Sequence, residues 1–192
     1  IALADRAFKI SRNTVFIHGP ISEHLVKDKP YECLKIETTA DLLEEVLSEI
    51  EENSVLIMCA APADYTPVEK SEEKIKKQDG DIVLHMKRTP DILKNVAEAK
   101  KIRKLKNFFV AGFAAETTNT ENYAMSKLIA KDLDMICLND VSQEGAGFGV
   151  DTNIMTLFTR TGLKIELPIL TKEKAASEIL KQIDAELLKR GD

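Results

Sequence analysis

Short continuous apolar runs alternate along this chain with longer stretches whose apolar positions recur every third or fourth residue, a pattern that predicts strands and helices in turn. The chain opens in helical phase, with Ile1, Leu3, Ala4, Ala7 and Phe8 on one face and no Ser, Thr, Asp or Asn cap ahead of them. This predicts a helix from Ile1 to Lys9 already in progress, with an upstream segment missing. Thr14 to His18 reads as a strand ending at Gly19-Pro20, and Cys33 to Glu37 as another. Thr38-Thr39 then opens a helix through about Glu52, with Leu42, Leu43, Val46, Leu47 and Ile50 along one side. Val55 to Cys59 is apolar throughout, as suits a strand covered on both faces. Ile82 to Arg88 alternates as a strand, and Thr89-Pro90-Asp91 starts a helix with Pro90 in its first turn, where a missing N–H costs nothing. Phe108 to Phe113, a helix from about Glu121 to Lys131 and Met135 to Leu138 follow. The chain ends in a hairpin, Ile154 to Thr159 and Leu163 to Leu167 about Arg160-Thr161-Gly162, and a helix from about Thr171 to Lys189.

Strands alternating with helices predict an α/β fold: a mostly parallel, doubly wound sheet with helices on both faces, plus the carboxyl-terminal hairpin and helix. The 192 residues fit one domain spanning 1–192. A net charge of −5 argues against a nucleic-acid partner, which would need a basic excess. Cys33, Cys59 and Cys137 stand far apart without a C-x-x-C pair, so neither a disulfide framework nor a zinc knuckle is expected, and a reducing cytoplasm is the simplest setting. No apolar stretch approaches the roughly 18 residues of a membrane span, so no membrane partner is expected either.

The chemistry concentrates between Val55 and Lys77. The strand runs into Ala60, Ala61, Pro62 and Ala63, small residues that let a ligand approach the backbone at the strand's carboxyl end, where open α/β sheets place their ligands. Asp64 adds a carboxylate, and Lys70, Lys74, Lys76 and Lys77 follow on a polar segment able to fold over anions. The same lysines also read as a plain solvated face. The start of the helix at Pro90-Asp91 is a second candidate anion site.

Tyr123, Lys127 and Lys131 fall at i, i+4 and i+8, which places them on nearly one helix face, where two ammonium groups could bracket a triphosphate or a base. YAMSK also matches the Tyr-x-x-x-Lys pair of short-chain NAD(P)-dependent dehydrogenases. That reading lacks the serine those enzymes carry on the preceding strand and their Asn-Asn-Ala-Gly turn. His18, His24 and His85 have no acidic or cysteine partner at ligand spacing and read as structural or exposed. Asn139-Asp140 closes a strand at the ligand edge, but Asn-Asp is also common turn chemistry. Gly145, Gly147 and Gly149 form G-x-G-x-G away from any strand-to-helix junction, so a loop is the better reading than a dinucleotide fingerprint.

Taken in order, CAAPADYTP, EKIKK, TPDILKNVA, VAGFAAET, YAMSKLIAKDLDMI and CLNDVSQ resemble the phosphopantothenoylcysteine synthetase family of the bacterial, CTP-using type, from IHGP at His18 to the final helix. The resemblance implies a Rossmann-like fold and a homodimer with active sites near the subunit interface. It also implies a ligase of coenzyme A synthesis, often fused behind an FMN-dependent decarboxylase. CTP would turn the carboxylate of 4′-phosphopantothenate into an acyl-cytidylate, and the amine of cysteine would then displace CMP. Carried onto matching positions, Met58, Cys59, Ala60, Asp64, Pro90, Asp91, Ile92, Leu93, Phe113, Lys127 and Lys131 would contact CTP. Ala60, Ala61 and Asp64 would lie near the phosphopantothenate, and Lys74 would be the catalytic lysine, on a flap that also reaches CTP. Mg²⁺ is expected with the nucleotide, on unknown protein ligands.

Family members begin with a strand, a Gly-rich loop and an Asn-x-Ser-Ser-Gly-Lys segment feeding the opening helix. None of these is in the sequence. The expectation is therefore a sheet whose neighbouring strands have unpaired edges, and a third functional reading is a nucleotide-binding fragment that cannot turn over.

Overall fold

The computed structural model describes residues 1–69, 71, 73–76, 81–116, 120–140 and 152–190. In chain order the elements are α1 (Ala2–Ala7), β1 (Val15–His18), a 3₁₀ turn at Glu23–Leu25, β2 (Glu32–Lys35), α2 (Thr39–Glu49), β3 (Val55–Met58), β4 (Tyr65–Pro67) and β5 (Met86–Arg88). These are followed by α3 (Ile92–Arg103), β6 (Phe109–Glu116), α4 (Thr120–Ala130), β7 (Met135–Asp140), β8 (Thr152–Asn153), β9 (Met155–Thr159), β10 (Lys164–Glu166), β11 (Leu170–Thr171) and α5 (Lys172–Leu188). Three of the helices start at side chains that cap them, whereas α1 follows Ile1 without a side-chain cap. Thr38 and Asp41 form a reciprocal capping box at α2, Asp91 accepts from Lys94 N–H at α3, and Thr171 accepts from Lys174 N–H at α5.

The main sheet has the order β10-β9-β7-β6-β3. β3, β6 and β7 are parallel, whereas β9 runs antiparallel to β7 and β10 antiparallel to β9. The sheet is therefore mixed, which corrects the expectation of a mostly parallel one. The predicted hairpin does not stand apart from the parallel strands: it is laid along the free edge of β7. Its turn reverses the chain at Gly162, whose φ of +89° lies in the left-handed region that glycine occupies without a Cβ penalty.

Residues alternating along the strands serve opposite faces. Val110, Ala114, Ile136, Leu138 and Phe158 pack with Leu42 and Val46 of α2, Ile92 and Val96 of α3, and Ala124 and Leu128 of α4. Phe109, Ala111, Met135, Cys137, Met155 and Leu157 pack with Ala175, Ile179, Leu180 and Ile183 of α5 and with Leu3 and Ala7 of α1. Helices thus cover both faces, as the alternating pattern predicted. β1 and β2 form a separate parallel pair, with Ile17 and Ile36 against the α2 side of the core. Among the described residues β1 pairs only with β2 and β3 only with β6.

Other boundaries move. The opening helix is Ala2–Ala7, and the predicted strand Ile82 to Arg88 contracts to Met86–Arg88, paired antiparallel with β4. β6 extends beyond Phe113 to Glu116.

One polar cluster ties α1 to the start of β2. The Asp5 carboxylate accepts from Lys29 Nζ at 2.6 Å and from Tyr31 Oη at 2.7 Å. Burial pushes Asp5 up, but the two hydrogen bonds outweigh it and hold the carboxyl below its ordinary value. A lowered native pKa contributes stability that is present above the ordinary carboxylate pKa of about 4 and lost as pH falls through the native value. The unfolding midpoint of the Asp5→Asn variant should therefore fall less steeply between about pH 5 and pH 2.5 than that of the parent. Thermal melts across that range check this, and parallel curves would remove the cluster from the acid response.

Candidate functional site

The carboxyl end of β3 is where the sequence placed its ligand, and the structure gathers most of the named residues there. β3 ends at buried Met58, after which Cys59, Ala60, Ala61 and Asp64 are exposed. Thr89 fastens this turn to the next one. Its N–H donates to the Asp64 carbonyl at 3.0 Å and its Oγ1 to the Ala63 carbonyl at 2.6 Å. Thr89 leads directly through Pro90 into Asp91, the cap of α3, so the small-residue turn and the helix start lie side by side.

α4 closes the ring. Lys131 Nζ forms an ion pair with Asp91 Oδ2, and Lys127 Nζ donates to the Phe113 carbonyl at 2.9 Å. Phe113 lies on β6 one position after Gly112, the register partner of Met58. The circuit therefore runs from β3 through Ala63, Thr89, Asp91, Lys131, Lys127 and Phe113 back to β3. It brings together Met58 to Asp64, Pro90 to Leu93, Phe113, Lys127 and Lys131. Burial raises Asp91, yet Lys131 and the Lys94 N–H outweigh it and hold the carboxyl below its ordinary value, so Asp91 is ionised at neutral pH. The first-turn N–H groups of Ile92 and Leu93 have no intrahelical acceptor, as in any helix, and they point the positive end of α3 at the same place.

The ring holds two ammonium groups, one of them paired with the Asp91 carboxylate, beside the first-turn N–H groups of α3, and these donors can receive an anion. Lys127 faces a neutral carbonyl and keeps its full charge for a ligand. The neighbouring Tyr123 is half-exposed, and Lys127 is engaged at Phe113 instead, so the dehydrogenase pairing gains nothing from this geometry.

Asn139 reads from the sequence as either a ligand contact or turn chemistry. It lies on β7 opposite Ala115 of β6 and Met155 of β9, and its Oδ1 is buried without a hydrogen-bond partner. A buried acceptor left unpaired is costly and asks for a donor. Nearby, a crevice of about 160 Å³ between α1 and α5 is lined by Phe113, Asn153, Met155 and Lys172 among others. Nothing in the sequence distinguishes an orphaned Asn139 acceptor from a satisfied one. Thr89 was missed as well, although its place between a strand and Pro-Asp was a signal for a turn tether.

Lys74 is not in the ring. It is exposed on the excursion between β4 and β5, where Lys74, Ile75, Lys76, Ile82 and Leu84 line an open cavity of about 750 Å³. Ile75, Ile82, Val83 and Leu84 on this excursion, and Met86 at the start of β5, are large apolar side chains left in solvent. Lys70, Lys77 and the glycines at 145, 147 and 149 lie outside the described residues. Among the described residues no three His, Cys, Asp or Glu side chains gather as a metal site. His18 is buried, with Nδ1 2.8 Å from the Gly19 carbonyl and its ring stacked on Phe16, a structural role as predicted.

Residues 1–187 match the family described as the DNA/pantothenate metabolism flavoprotein C-terminal domain. The chain is 45% identical over 184 residues to the Coenzyme A biosynthesis bifunctional protein CoaBC of Bacillus subtilis, covering 96% of this chain and 44% of that protein. It is 38% identical over 186 residues to the protein of the same name in Escherichia coli, again spanning 44% of it. Among solved structures it resembles the C-terminal domain of a CoaBC protein at a TM-score of 0.77 and 36% identity, over 98% of this chain and 83% of that one. The chain thus spans less than half the length of the curated relatives.

Proposed function

Because the chain belongs to the DNA/pantothenate metabolism flavoprotein C-terminal domain family, we propose that it is the ligase that joins 4′-phosphopantothenate to L-cysteine at the expense of CTP, within coenzyme A biosynthesis. The observation that carries this reading is the ring of ligand-facing groups closed by Thr89, Asp91, Lys131 and Lys127 around the end of β3. It combines two ammonium groups, a helix amino terminus and a small-residue turn, which together suit a nucleoside triphosphate.

In this reading Lys127, Lys131 and the first-turn N–H groups of α3 hold the phosphates, and Met58, Cys59 and Ala60 let the nucleotide lie against the backbone. Asp64, Ala60 and Ala61 receive the pantothenate end. A carboxylate oxygen of 4′-phosphopantothenate attacks the α-phosphorus and pyrophosphate leaves, giving an acyl-cytidylate. The cysteine amine then attacks the acyl carbonyl, CMP leaves, and an amide forms as the nitrogen gives up its proton. Both steps bring anions together, so positioning and charge neutralisation do most of the work. Mg²⁺ enters with the nucleotide as part of the substrate, held chiefly by phosphate oxygens. Lys74 closes over the reacting groups from the segment between β4 and β5. The apolar side chains exposed on that segment support pairing of two such chains as a homodimer, with each flap near the partner's site. Since the relatives extend well beyond this chain, a fused decarboxylase carrying FMN is part of the same proposal, as is a cytoplasmic setting.

Calorimetric titration of the protein with CTP, ATP and NADP, each with Mg²⁺, tests the nucleotide reading. CTP should bind more tightly than the other two. Lys127→Ala removes a charged donor worth about 1.5–3 kcal/mol, so it should weaken CTP binding by roughly tenfold to a hundredfold. Tight NADP binding without CTP binding would overturn this reading in favour of the dehydrogenase.

A further inference from the structure

We propose that Asp91 is a positioning residue for the nucleotide, fixing through its ion pair where the charge of Lys131 is presented; the inference rests on the CTP reading above. Its two carboxylate oxygens are divided between two tasks. Oδ1 accepts the Lys94 N–H and caps α3, while Oδ2 holds the Lys131 ammonium. The two lysines of α4 are consequently unlike. Lys127 donates to a neutral carbonyl, whereas Lys131 is paired with a full negative charge whose carboxyl is itself tied to a helix start.

A free lysine side chain carries about 2 kcal/mol of rotamer entropy, and a partner that holds it in place removes that cost from ligand binding. Asp91 does this at the amino end of a twelve-residue helix, where the phosphates of a nucleotide would meet Lys131 and the backbone N–H groups together. The arrangement has a liability. A carboxylate beside bound phosphates repels them unless Lys131 stays paired with it. Loss of Lys131 therefore does harm twice, by removing a cation and by baring Asp91.

The chemistry of the cap separates this role from a structural one. Asn caps a helix about as well as Asp but cannot form the ion pair, whereas Ala loses both. Asp91→Asn is expected to leave the unfolding midpoint near the parent's and to weaken Mg-CTP binding by about twofold to fivefold, the scale of a partly exposed ion pair. Asp91→Ala should lower both affinity and midpoint. Lys131→Ala should be the weakest binder of the set, and the double variant Asp91→Asn with Lys131→Ala should bind CTP more tightly than Lys131→Ala alone, because the bared carboxylate is gone.

Calorimetry with Mg-CTP and thermal melts on the four variants supply the test. If Asp91→Asn binds as well as the parent or better, or if the double variant is weaker than Lys131→Ala, the positioning role is overturned while the CTP reading stands. If the parent itself takes up no CTP, the reading fails and this inference with it.

Discussion

Lys74→Ala is expected to slow ligation about a hundredfold, the cost of roughly 3 kcal/mol of transition-state stabilisation when a charge-stabilising donor is lost, while leaving CTP affinity within a fewfold of the parent. The reason is its location. Every other lysine assigned to the site is already anchored, Lys127 on Phe113 and Lys131 on Asp91, whereas Lys74 is exposed and stands on the excursion between β4 and β5. A cation that reaches the reacting atoms only by closure adds little to the ground state and more to the transition state, so kcat falls and binding does not. Single-turnover kinetics on the variant decide the matter, and an unchanged rate would remove Lys74 from the mechanism.

The largest expected effect on stability lies at the other end of the sheet. Asp134 is 4% exposed and gathers several donors. It accepts the Val110 N–H at 2.8 Å and a 2.5 Å hydrogen bond from Arg190 Nη2, with Lys100 Nζ at 3.6 Å. Arg190, just past the end of α5, also lies over the Phe109 ring at 4.9 Å. A single carboxylate thus joins β6, β7, α3 and the carboxyl-terminal helix. Asp134→Ala orphans a buried backbone N–H and frees two cations, at a cost of about 3 kcal/mol. For a chain of this size that corresponds to a fall in unfolding midpoint of roughly 6–12 °C. Asp134→Asn, which keeps an acceptor, should fall less. Melts of both variants check this, and an Asp134→Ala midpoint within a degree of the parent would contradict it.

What the sequence made legible follows from which interactions are local. The helix starts at Thr38 and Asp91 were readable because each side chain sits a few residues from the N–H it satisfies, but Pro90 lies ahead of the Asp91 cap and not in the first turn, since α3 begins at Ile92. β3 and its small-residue turn were readable from a continuous apolar run followed by Ala and Pro. The joining of the hairpin to β7 was not, since strand pairing is decided by partners remote in sequence and by which sheet edge remains open. β4 escaped for the same reason. Tyr65–Pro67 is three residues long, contains a proline, and becomes a strand only by pairing with β5 some twenty residues on. In the site, the lysine spacing on α4 was visible, but the different anchors of Lys127 and Lys131 were not. Nor was the orphaned acceptor of Asn139, a fact of atomic burial that no pattern of residue types carries.

The central claim is that this chain's site serves CTP-driven amide formation, and incubating the protein with 4′-phosphopantothenate, L-cysteine, CTP and Mg²⁺ tests it most directly. The account predicts phosphopantothenoylcysteine, CMP and pyrophosphate in equal amounts with CTP, and little product with ATP in its place. CTP left unconsumed with all substrates present, or product formed with ATP and not with CTP, would contradict it.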